Sequence, residues 1–127
     1  MKKFALILAS IGITWLASTG LAVADEGAIQ TMARITMSLQ HFPSDDDKAV
    51  LQGIIDSDDA TEEEADIAMA LADFEHKVLK KDTERLTDII NDDSTDADAR
   101  ELASILLRIN HTPNDEDKAA LAALAAE

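Results

Sequence analysis

The sequence predicts an all-α protein, a small helical array of tandem helix-turn-helix repeats, with three units of about 35 residues and about six helices. Three observations predict it. His41, His76 and His111 stand at a constant interval of 35 residues. Their surroundings hold the same register. Met32-Ala33, Ile67-Ala68 and Leu102-Ala103 precede the histidine by nine and eight positions, Leu39, Phe74 and Ile109 by two, and Leu51, Leu86 and Leu121 follow it by ten. A register kept through three copies without an insertion marks repetition of one structural unit. Within each copy the apolar residues then recur at three- and four-residue steps, the signature of one helix face.

The chain opens on a targeting segment. Lys2 and Lys3 give a positive start, Phe4 to Ala24 carries no charge, and Ala22-Val23-Ala24 supplies the small-x-small pattern cleaved before Asp25-Glu26. Residues 1–24 are therefore expected to be removed as a signal peptide, which places the protein in the periplasm or outside the cell. No Cys follows the apolar run for lipid attachment. Residues 25–127 suffice for a single helical-repeat domain, with units at 31–65, 66–100 and 101–127.

In the first unit Met32, Ile35 and Leu39 form the stripe, with Thr36 where the other copies place Leu. Pro43 disfavours helix before it, Ser44 stands as a cap, and Asp45-Asp46-Asp47 fill the first turn of a second helix running through Ile54-Ile55. The second unit starts with Thr61 ahead of Glu62-Glu63-Glu64, a capping box with acids at the positive end of the helix dipole. Ile67, Ala70, Leu71, Phe74 and Val78 continue its stripe. Its second half departs from the pattern, because Val78 replaces Pro, Leu79 replaces the cap and Lys80-Lys81 replace two acids. The spacing there fits one long helix bending near Lys80, or a second helix starting at Asp82. The third unit repeats the first: Asp96 or Thr95 as cap, a stripe at Leu102, Ile105, Leu106 and Ile109, then Pro113, Asn114 and Asp115-Glu116-Asp117 before Lys118 to Ala125. Polar turn formers at 56–60 and 91–95 suit short connections between antiparallel helices. The Trp, Gly and Tyr positions of tetratricopeptide repeats are absent.

Charge restricts function further. Loss of Lys2 and Lys3 takes the formal net charge from −15 to −17, which repels phosphate backbones and anionic lipid surfaces. Nucleic acid is thereby excluded as a partner, as is any membrane beyond the signal peptide. A protein with a basic surface is the expected partner, docking on Asp45, Asp46, Asp47, Asp115, Glu116 and Asp117. With no Cys in the chain, packing alone must hold the fold.

The acidic loops fail the calcium-loop pattern. Counted from Asp56 or from Asp92, the sixth position is Thr61 or Ala97 instead of Gly, and the twelfth is Ile67 or Ala103 instead of Glu. The histidines are the only metal-ligand candidates, in an exported chain that meets copper and zinc. In an open stack of helix pairs, equivalent residues lie ~8–10 Å or more apart, too far for three imidazoles to share an ion at ~2.1 Å unless the array curls tightly. His41, His76 and His111 are thus expected to sit at the end of each first helix, facing the negative end of the dipole and capping free carbonyls. No nucleophile motif, phosphate loop or His pair flanking Glu is present. The expected function is non-enzymatic macromolecule binding in the cell envelope, without a cofactor. The alternatives are metal binding or sensing through His41, His76 and His111, and inhibition of, or immunity to, a basic enzyme.

Overall fold

A computed structural model describes residues 27–127; residues 1–24, expected to be a signal peptide, lie outside these. Six helices follow one another: α1 (Ala28–Met37), α2 (Asp45–Asp56), α3 (Glu62–Ala72), α4 (Lys80–Asn91), α5 (Ala97–Arg108) and α6 (Asp115–Ala125). No β-strand occurs among the described residues, and none of their helices is long and apolar enough to cross a membrane.

Local chemistry explains most of the boundaries. The Ser44 hydroxyl accepts from Asp47 N–H at 3.1 Å, and Asn114 Oδ1 accepts from Asp117 N–H at 2.7 Å, each satisfying an orphan donor of a helix start. Thr61 and Glu64 close the expected capping box, at 3.0 and 2.9 Å. Asp96 occupies the N-cap position of α5 but makes no side-chain cap bond. In the middle unit the chain does break, and α4 begins at Lys80, two residues before Asp82 and after an extended, uncapped Leu79. Val78 stands where the other copies have Pro, so proline is not what ends the preceding segment.

The three units close on themselves. Each outer helix packs against the inner helix that follows it, α2 on α3 and α4 on α5, across the polar turns. The last outer helix, α6, packs on α1, so the two ends of the repeat region meet. The inner helices α1, α3 and α5 touch one another in all three pairs. Met32, Ala33, Ile67, Ala68, Leu102 and Ala103 are fully buried on the inner helices, and Leu51, Leu86 and Leu121 on the outer ones. An open row would instead leave α1 and α6 each with a bare apolar face, and burying one Leu such as Leu121 is worth about 1.5–3 kcal/mol. Thr36, where the equivalent residues are Leu71 and Leu106, is fully buried as well; its hydroxyl donates to the Met32 carbonyl at 2.7 Å and so carries no unpaired group into the core.

Candidate functional site: a histidine triangle

Each inner helix leads into the same short device. Two residues before each histidine a large apolar side chain is buried (Leu39, Phe74, Ile109), and two residues after it another is (Pro43, Val78, Pro113). Anchored on both sides, the histidine itself is exposed at the tip. Its backbone is in the left-handed region, with φ of 67° at His41, 68° at His76 and 74° at His111; no other non-glycine residue among those described has positive φ. Around two of them the flanking residues close a γ-type turn, Phe42 N–H donating to Gln40 O at 2.6 Å and Thr112 N–H to Asn110 O at 2.9 Å. Around His76 the flanking pair bonds in the reverse sense, Glu75 N–H donating to Lys77 O at 3.2 Å. Holding a side chain other than glycine in such a conformation costs on the order of 1–3 kcal/mol per residue.

Closure of the ring joins the three tips. His41 N–H donates to the carbonyl of His111 at 2.9 Å, His111 N–H to that of His76, and His76 N–H to that of His41, a cycle in which every histidine gives and receives one backbone bond. The rings follow. Their centres lie 5.0 Å apart for His41 and His76, 5.0 Å for His41 and His111, and 4.8 Å for His76 and His111. The spacing expected for an open stack is therefore wrong: the array curls into a ring, and equivalent positions near its axis meet. The expected carbonyl-capping role is corrected too. His41 lies four residues beyond the end of α1, where Ser38 N–H and Leu39 N–H meet the carbonyls of Ile35 and Thr36, each at 3.2 Å. Asp73 and Phe74 N–H serve α3 in the same way, at 3.1 and 3.2 Å.

As a ligand set the triangle has the right spacing in a wrong orientation. An imidazole bound to zinc at ~2.1 Å places its centre roughly 3.3 Å from the ion, so three of them at tetrahedral angles stand about 5.3 Å centre to centre. The observed separations are a few tenths of an ångström shorter. The ring planes are inclined at 40°, 78° and 64° to each other, and as the side chains stand no group of three or more His, Cys, Asp or Glu among the described residues could hold a metal ion.

The surroundings of the triangle are charged unequally. The outer helices begin four residues beyond each histidine, so their first turns frame it. Asp45, Asp46, Asp115 and Glu116 are exposed there, while the corner of His76 carries exposed Lys77, Lys80 and Lys81. Lys81 pairs with Asp73 at 2.8 Å, and this bond raises its pKa. Two members of the expected acidic surface drop out of it. Asp117 is buried, its Oδ1 accepting from Arg108 Nη2 at 2.7 Å, and Asp47 is only half-exposed. The equivalent Asp82 is buried also, with Oδ1 accepting from Arg85 Nη1 at 3.2 Å and Oδ2 without a partner. Asp47, Asp82 and Asp117 thus form a second wholly repeated polar position, six residues after each histidine. Sequence reading missed it because acids are so abundant that one more identical column looked like surface.

A groove between α1 and α2, lined by Ala28, Thr31, Val50, Gly53 and Ile54, has its counterpart one unit on between α3 and α4. There Asp66 and Arg85 replace Thr31 and Val50 and stand 3.7 Å apart. Partial burial pushes the Asp66 carboxyl above its usual range; Arg85 opposes this, while Glu62 and Glu63 add to it. No family model, curated protein or solved structure matches the chain.

Proposed function

We propose that this protein is an exported, non-enzymatic binding module whose working face is the histidine-bearing end of the ring. One observation carries the reading: the same residue type adopts a costly left-handed conformation three times and is brought together at one point. Glycine would hold that backbone without the strain, so retention of histidine in all three copies points to use of the side chain. Strained residues concentrate where binding or switching occurs. The acids that open α2 and α6 give this end a pull on positively charged partners, and a protein with a basic surface fits that pull.

The test compares capture of envelope proteins by the mature domain, by a variant with His41, His76 and His111 all changed to Gly, and by an Asp45→Lys/Asp46→Lys variant. A partner lost with the glycines, and captured ever more slowly with the lysines or with rising salt, supports the reading. Equal capture by all three proteins would remove the histidine end from the function.

A further inference from the structure

We infer that the histidine triangle is a three-imidazole site for a divalent transition-metal ion of the zinc and copper(II) class, one ion per chain. This deepens the proposed function and rests on the histidine end being the working face. The backbone supplies most of what such a site needs. The cycle of hydrogen bonds between His41, His76 and His111 fixes the three Cα positions relative to one another, and the buried residues two places either side hold each tip down. Ring centres at 4.8–5.0 Å lie within a few tenths of an ångström of the separation that three bound imidazoles require. What is missing is orientation, which resides in the side-chain torsions. All three side chains are exposed and so free to reorient, and turning an imidazole about its Cβ–Cγ bond swings its nitrogens while leaving the ring centre almost in place, which keeps the spacing.

Chemistry narrows the ion. An all-imidazole donor set suits zinc, copper(II), nickel and cobalt, whereas calcium and magnesium take oxygen ligands. Asp45, Asp46, Asp115 and Glu116 stand at the helix starts beside His41 and His111, while Lys77, Lys80 and Lys81 oppose them at the corner of His76, so the imidazoles and not the surrounding charge select the ion. Three ligands leave a tetrahedral ion one open position, the pattern of ions that take a further ligand from solution or from a partner.

Calorimetric titration of the metal-stripped mature domain with zinc and with copper(II) tests the inference, beside the single variants His41→Gly, His76→Gly and His111→Gly. Glycine is chosen because it suits positive φ, and circular dichroism of each variant checks the fold. The expected result is one equivalent bound at submicromolar Kd, with a loss of at least a hundredfold in every variant, and a cobalt(II) complex with the intense visible bands of four-coordinate geometry. Weak or multiple binding, or tight binding that survives removal of any one histidine, overturns the inference. Failure to bind metal together with loss of partner capture by the triple glycine variant overturns the metal site and leaves the working face standing. Metal binding together with unaltered capture does the reverse.

Discussion

At the scale of the residue, conformation separates a histidine kept for its side chain from one kept for its backbone. Relief of strain at positive φ and the greater entropy of an unfolded glycine act in opposite directions, and the first is the larger, so His76→Gly should keep or raise the melting temperature. A fall of several degrees would show that the imidazole packs as part of the fold. Asp66 offers a test by pH. Its folded-state pKa is raised by partial burial, so its ionisation costs stability above that pKa, and the cost vanishes as pH falls through it. Asp66→Asn should therefore melt above the unaltered protein at neutral pH, with the advantage shrinking toward about pH 3. The Arg85 pair it loses is partly exposed and 3.7 Å long, a weak counterweight. A lower melting temperature at neutral pH would mean that the pair outweighs the burial. Asp92 has the opposite sign: bonds from Ser94 lower its pKa, so its contribution is present above the ordinary carboxylate range and is lost as pH falls through the lowered value.

At the scale of the element, the caps and stripes were legible because they depend on neighbours in sequence. Thr61 with Glu64, Ser44 and Asn114 could be named from residue type and spacing, and each makes the expected bond. Asp96 has the right chemistry and no bond. Thr61→Ala should cost about 1 kcal/mol and Asp96→Ala a small fraction of that, measured by urea denaturation; equal costs would contradict the difference between these caps. Phe74→Ala should cost about 3–5 kcal/mol for a side chain 1% exposed, against almost nothing for Lys80→Ala. Comparable melting temperatures for these two would deny the buried stripe. The break before α4 was less legible. Val78 and Lys80-Lys81 left open one long bent helix or a new helix at Asp82, because the feature that ends the segment is the histidine turn, whose positive φ and bonding to the other two histidines are set by contacts far away in sequence.

At the scale of the whole molecule, closure is what the repeat pattern could not reveal. A period of 35 residues is equally compatible with an open stack and a ring. The choice depends on whether the faces of α1 and α6 find each other, and no spacing within one unit carries that information. The histidines were thus identified as a constellation while their separation was misjudged. Closure also changes how the fold fails. An open array loses an end unit and keeps the rest, whereas deleting α6 here uncovers the α1 face and breaks the histidine cycle. Truncation before Asp115 should abolish cooperative melting altogether, and a truncated chain that still melts cooperatively would contradict the ring. The most direct measurement is nuclear Overhauser contact between imidazole protons in the metal-free mature domain. Ring centres near 5 Å predict cross-peaks for all three pairs, His41 with His76, His76 with His111 and His111 with His41. The last of these pairs is decisive, since it joins the first unit to the third: cross-peaks between adjacent units without it would mean an open array, and would contradict both the triangle and the function built on it.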